Sequence, residues 1–221
     1  MKPIPSSLAA LLLTTALLHG DLVIVQKVEG AGQSGEQTIK IRGDKARTDL
    51  AQPVSVITDG ATGDSITLMH AQRSYLKVPA MQAKAMIEQV QKLRPNAEPP
   101  KLQTTGRHEK IGDYNCEIFT SNLGFLTVTY WIASGYPNYQ GILSQMEKVQ
   151  SGGVSAMAKG VMPDLKDFPG LPIKTEMDLG GKKLTTIIVS AKEEAIDPAI
   201  FKIPNGYKEI SAPDLDLQKV K

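Results

Sequence analysis

From residue 37 to residue 78 the chain reverses direction every few residues, and that rhythm limits the folds open to it. QTIKIR (37–42), KARTDL (45–50), VSVIT (54–58), SITLMH (65–70) and SYLKV (74–78) are punctuated by Gly43-Asp44, Asp59-Gly60 and Gly63-Asp64. In the first segment Ile39 and Ile41 fall on one side and Thr38, Lys40 and Arg42 on the other, which is the period of a strand. Gly-Asp and Asp-Gly pairs between such runs are tight-turn chemistry, so the segments read as successive antiparallel strands. The pattern returns in LQTTGRHEKI (102–111), YNCEIFTS (114–121), FLTVTYWIA (125–133) and a hairpin at 172–193 that turns at Gly180-Gly181.

Two stretches break the rhythm. Behind Pro79, Ala83, Met86, Ile87, Val90 and Leu93 recur at helical spacing, which predicts an amphipathic helix over 80–94 that stops at Arg94-Pro95. Ile142, Leu143, Met146 and Val149 share one side of a second helix at 138–150. Ser151-Gly152-Gly153 interrupts it, and 154–162 reads as a third, short helix. Strands and helices do not alternate, which excludes a doubly wound parallel sheet. The expected fold class is α+β, a large curved antiparallel sheet with helices gathered on one face.

The first twenty residues are unlike the rest. Lys2, the apolar run LAALLLTTALL (8–18) and Gly20 before Asp21 have the pattern of a secretory signal, too short to span a bilayer comfortably. A buried or membrane-anchoring helix is the alternative. The expected organisation is a signal peptide at 1–20, a single domain at 21–210 and a polar tail at 211–221, with a periplasmic or secreted location. No later stretch reaches spanning length, so the mature chain is not expected to cross a membrane. Cys116 is the only cysteine, which excludes an intramolecular disulfide and a thiolate metal cluster. The chain has 25 Lys+Arg and 23 Asp+Glu; loss of Lys2 leaves a mature net charge of about +1, spread without a basic block. Nucleic acid is therefore not an expected partner.

Several short motifs look chemical. GAGQSG (30–35) matches a dinucleotide-binding G-x-G-x-x-G by letter. That fingerprint works only where a helix opens within it and receives the pyrophosphate on its N-terminus. Here EQTIKIR follows, with strand alternation, so the expectation is a mobile hairpin loop and no cofactor. Gly63-Asp64-Ser65-Ile66 resembles the GDSL block of a family of secreted esterases, but Asp197-Pro198-Ala199-Ile200 lacks the histidine base such a serine needs. Arg42-Gly43-Asp44 spells an adhesion tripeptide and is equally the turn between two strands. His70 and His108 stand far apart without the ligand spacing of a zinc site, and read as ordinary sheet residues. Met81, Met86, Met146, Met157 and Met162 fall in the helical stretches, which suits either a packed core or a surface accepting varied apolar ligands.

The segment Asp197-Pro198-Ala199-Ile200-Phe201-Lys202-Ile203-Pro204-Asn205-Gly206-Tyr207 resembles the closing D-P-x-x-F-x-I-P-x-G-Y of exported bacterial proteins related to the outer-membrane lipoprotein carrier (LolA-like) superfamily. DLVIVQKVEG (21–30), IKIRGDKAR (39–47), YWIASGYPNY (130–139) and TTIIVSAKEE (185–194) are similar to an uncharacterised secreted family, a domain of unknown function, over roughly 21–210. The resemblance implies a half-open, incomplete barrel whose apolar concave side is covered by helices and takes acyl chains.

The function expected from these readings is non-catalytic: an exported protein holding a lipid or acyl chain between sheet and helices. Alternation and helical spacing nominate Ile39, Ile41, Leu68, Met86, Ile87, Val128, Tyr130, Ile142 and Met146 as its lining. The alternatives are an envelope module that binds a protein partner, as some members of the superfamily do, and an esterase using Ser65.

Overall fold

The computed structural model describes residues 20–92, 100–122, 126–150 and 162–210. The expected signal peptide, the tail at 211–221 and all but Met162 of the expected third helix lie outside them. The strands are β1 (Leu22–Gly30), β2 (Gln33–Arg42), β3 (Lys45–Asp49), β4 (Val54–Asp59), β5 (Ser65–Met69) and β6 (Ser74–Val78), then β7 (Gln103–Ile111), β8 (Tyr114–Asn122), β9 (Thr127–Ala133), β10 (Leu171–Leu179), β11 (Lys182–Glu193) and β12 (Lys208–Glu209). Two α-helices are described, α1 (Ala80–Lys92) and α2 (Tyr139–Gln150).

All twelve strands join one sheet in the order β12-β6-β5-β4-β3-β2-β1-β11-β10-β9-β8-β7. Every pairing is antiparallel except the short β12–β6 pair. The first strand pairs with the eleventh, so one long-range ladder zips two local meanders into a continuous sheet. The sheet is open, with β12 and β7 as its edges. On β7, Arg107, His108, Glu109 and Lys110 are exposed, and the register slips between Thr104 and His108, where Gly106 has a φ of 67°. Charge and a bulge are ordinary protections of a free edge.

Because directly opposed residues share a face, the register sorts the side chains. Leu22, Ile41 and Ala46 lie in line on one face, as do Ile24 and Ile39. They share a core with Val128, Tyr130 and Ile132 of β9 and with Ile142, Leu143 and Val149 of α2. This is the helical face. Helix α2 touches both β2 and β10, so it bridges the two meanders. Its last turn sits on the β4–β5 connection, where a Cβ at Gly60 would overlap the Lys148 carbonyl oxygen. Helix α1 starts where Asp64 Oδ1 accepts the Ala80 N–H at 2.9 Å, which gives Gly63-Asp64 a capping role.

The opposite face carries Val23, Lys40, Arg47, Ile57 and Ile66 in one row, with Asp49, Ser55, Leu68 and Tyr75 in the next. Residues 194–210 cross it as a strap. Asp21 Oδ2 accepts the Ile196 N–H at 2.9 Å, Arg42 donates to the Ile196 carbonyl, and Arg47 Nη1 donates to the Ile200 carbonyl at 2.9 Å. Asp197 caps the 3₁₀ turn Pro198–Phe201 by accepting the Ala199 N–H. Phe201 and Ile196 pack on Ile57 and Leu68, and β12 then adds to β6. Thus the D-P-x-x-F segment is a cap, a turn and an apolar plug.

GAGQSG departs from expectation. β1 runs through Gly30 and β2 begins at Gln33, so the connection is Ala31-Gly32 alone, paired at its ends as Gly30 opposite Gln33. Ala31 and Gly32 have φ of 49° and 79°, the positive pair that a type I′ turn requires. The expected six-residue mobile loop is a two-residue turn, and Ser34 and Gly35 belong to the strand. A strand, not a helix, follows the glycines, so the pyrophosphate cradle is not formed.

Candidate functional site

Two elements pack on the helical face. Helix α2 lays Ile142, Leu143 and Val149 onto the sheet. The second is a 3₁₀ turn, Leu165–Asp167, capped by the Asp164 carboxylate, which accepts the Lys166 N–H. Pro169-Gly170 ends it, and Gly170 is required there: a Cβ would collide with the backbone at Ala133 and Ser134. Leu165 and Phe168 are buried as a result.

Between α2 and this turn lies a cavity of about 330 Å³. Its apolar floor is Leu143, Leu165 and Phe168. Gln140, Ser144, Glu147 and Lys166 form its rim, and Lys166 Nζ meets Glu147 Oε1 at 2.7 Å across the mouth. That bridge is exposed and contributes little to stability. A second hollow of about 270 Å³ lies beside it and shares Tyr139 and Gln140. Behind the floor, the Phe168 ring stands edge-on to Tyr130, with centroids 5.2 Å apart and planes at 88°.

The nine residues nominated from the sequence divide. Ile41, Val128, Tyr130 and Ile142 are buried in the helical-face core, and Ile39 and Met146 pack against it half-buried. Ile41, Val128 and Tyr130 are 0–1% exposed, so they touch protein on every side and face no open space in this conformation. Met86 and Ile87 lie on α1, with side chains outside the described residues. Leu68 points to the strap face, beneath Phe201, away from the other described nominees. Alternation sorts a strand into two sets but does not say which set meets the helices, and here the strap supplies a second apolar layer. Leu165 and Phe168 were missed; the sign was Asp164 at a cap position with Pro169-Gly170 closing a single turn.

The strap face holds a polar network that the sequence did not announce. Ser55 Oγ donates to Asp49 Oδ1 at 2.7 Å and accepts from Arg47 Nη2 at 3.1 Å. It lies 2.7 Å from His70 Nε2, and His70 Nδ1 lies 2.6 Å from the Tyr207 hydroxyl. The hydroxyl's one proton is committed to Asp49, so Nε2 must donate to Ser55 and Nδ1 must accept from Tyr207. In this tautomer His70 holds no lone pair toward Ser55. Burial pushes the Asp49 carboxyl up, but hydrogen bonds from Ser55, Arg47 and Lys40 and the Arg47 charge outweigh it, lowering it from 3.8 to about 2. Ser65 lies on the other face, buried, in line with Thr58 and Val78. Arg42 of the adhesion-like tripeptide is engaged by Asp21 and the Ile196 carbonyl, and Gly43 supplies the turn with a φ of 57°.

Among the described residues, no cluster of three or more His, Cys, Asp or Glu is arranged to hold a metal ion, and no helix is long and apolar enough to cross a membrane.

An open, almost wholly antiparallel sheet with helix α2 packed on one face and a chain strap on the other defines the structural class. The chain belongs to the family described as a domain of unknown function, DUF4412, whose model matches residues 20–207. No curated protein sequence matches it. Among solved structures it is similar to PNGF-II in its P21 crystal form, with 14% identity over 87% of this chain and 32% of that one, at a TM-score of 0.43. The C2 form of PNGF-II gives 13% identity over 87% and 31%, also at 0.43. The chain thus spans about a third of the length of PNGF-II. The Mycobacterium tuberculosis lipoprotein LppX is 11% identical over 79% of this chain and 88% of its own, at a TM-score of 0.42.

Proposed function

We propose that the protein is an exported, non-catalytic binder of an apolar ligand, a lipid or acyl chain, held between the helical face of the sheet and its α2 cover. The domain is 21–210, released from a leader at 1–20 and followed by a tail at 211–221. Its sheet curves as an incomplete barrel, and the helices lie on the concave side. The observation that carries this reading is the cavity between α2 and the Leu165–Asp167 turn, whose floor of Leu143, Leu165 and Phe168 is continuous with the apolar core beneath. Its volume, about 330 Å³, is within the range of small-molecule sites. The driving force is apolar burial, about 25 cal/mol per Å² before ordering costs. The saturated hydrogen bonding of Ser55 and the burial of Ser65 support a role without bond chemistry. Native mass spectrometry of protein purified from its own envelope tests the proposal. A co-purifying lipid is the expected result; repeated absence of one, with no uptake of a fluorescent acyl probe, rejects it.

A second reading has its own observation. Ile41, Val128 and Tyr130 are already sealed by protein, as in a domain whose interior is filled and whose partner is another protein. An envelope protein captured by cross-linking, with no lipid bound, is the outcome specific to that reading.

A further inference from the structure

Two hydroxyls in the helical-face core have no hydrogen-bond partner among the described residues: Tyr130 Oη and Ser121 Oγ, both on residues only 1% exposed. Leaving a buried hydroxyl unpaired is costly, so each such group in a native interior calls for an explanation. These two share a neighbourhood. Phe119 lies opposite Tyr130 and Ser121 opposite Val128, so on adjacent strands β8 and β9 the two orphans are diagonal neighbours on one face. Tyr130's other strand partner is Thr175, and the ring against it is Phe168. None of these three neighbours is charged. Phe168 also lines the α2 cavity, so one aromatic ring touches both the open space and the ring of Tyr130. Phe168 is the C-cap of a 3₁₀ turn only three residues long.

We propose that the Tyr130 and Ser121 hydroxyls are a polar subsite for the uncharged carbonyl of an acyl ester, reached from the α2 cavity past the Phe168 ring. This rests on the apolar-ligand reading and narrows its ligand class. A hydroxyl donates to a carbonyl oxygen without needing a countercharge. A carboxylate or phosphate would bring an unpaired charge to Phe119, Thr175 and Phe168, at a penalty far above that of a neutral carbonyl. Burial pushes the Tyr130 phenol up from 10.0, so it keeps its proton and remains a donor. The acyl chain lies in the α2 cavity along Leu143, Leu165 and Phe168, and the ester is the part that the wall recognises.

The test uses the full mature chain, with Tyr130→Phe and Ser121→Ala beside the native protein. Two probes are titrated, a long-chain monoacylglycerol and an alkane of equal chain length. Tyr130→Phe keeps the ring and removes only an unpaired group, so its urea midpoint is expected to equal or exceed that of the native protein. Its affinity for the monoacylglycerol is expected to fall about tenfold, the weight of one hydrogen bond, with alkane affinity unchanged. Ser121→Ala is expected to follow the same pattern. Native protein that binds both probes while Tyr130→Phe binds the ester equally well overturns the subsite and leaves the apolar-ligand reading standing. The same holds if Tyr130→Phe lowers the urea midpoint, because the phenol then has an internal partner such as a trapped water. Native protein that binds neither probe overturns both.

Discussion

His70 Nδ1 accepts a hydrogen bond from the Tyr207 hydroxyl at 2.6 Å, across 137 residues of chain, with the two rings edge-on at 5.9 Å. The contact ties the end of the strap to the end of β5, and Ser55 fixes the imidazole from its other side. A double-mutant cycle measures it. Tyr207→Phe is expected to cost about 1 kcal/mol and His70→Ala about 1–3 kcal/mol in urea unfolding, because the latter also strips a donor from buried Ser55. The pair is expected to couple by at least about 0.5 kcal/mol. Strict additivity means the strap is held without this bond.

Asp49 makes the strap face sensitive to acid. Its carboxyl is lowered from 3.8 to about 2, so the unfolded chain binds the proton first. The stabilisation is complete above about pH 4 and is lost as the pH falls through about 2. It amounts to about 2 kcal/mol at most, since the side chain is partly solvated. Asp49→Asn is expected to be less stable than the native protein at pH 7 and to converge with it near pH 2. Urea midpoints of both proteins measured from pH 7 downward check this; a gap that does not shrink below pH 4 rules Asp49 out as its source.

Much of the fold was legible because its turns carry their own chemistry. Gly43, Gly112 and Gly180 all adopt positive φ at connections that the sequence marks with Gly-Asp or Gly-Gly. Strand limits near 45–50, 54–58, 114–121 and 182–193 followed from these and from alternation. The site was less legible. Tyr130 and Val128 share a face by alternation, but only register and packing show that Leu68 belongs to the opposite side, because β4 and β5 carry apolar residues on both faces. The strap was visible as a motif and invisible as a layer. Nothing local to Tyr207 points to His70, since a hydrogen bond across 137 residues leaves no periodic trace.

Leu68 gives that difference a measurable form. Leu68→Ala removes part of the plug beneath Phe201 and is expected to cost about 2–5 kcal/mol of stability. Phe201→Ala is expected to cost about 3–5 kcal/mol at the same contact. Neither residue faces α2, so neither substitution is expected to change acyl-probe affinity under conditions where the variant remains folded. A selective loss of affinity in Leu68→Ala, with stability retained, would place the ligand on the strap face instead.

The two ends of the opening turn separate local strain from crowding. Gly30 has a φ of 107°, and a Cβ there would overlap the Lys183 carbonyl oxygen of β11. Gly32 has a φ of 79°, and a Cβ there would meet nothing within 4 Å. Gly32→Ala therefore pays only for left-handed backbone, about 1–2 kcal/mol. Gly30→Ala adds a backbone collision at the ladder that joins the two meanders, so its cost is expected to exceed that of Gly32→Ala by at least about 1 kcal/mol. Gly32→Asn should recover part of the loss, because asparagine tolerates the left-handed region, and Gly30→Asn should recover none. Equal destabilisation by Ala at both positions would mean that β1 and β11 part easily at this end, and that the β1–β11 ladder is not what holds the first glycine of GAGQSG.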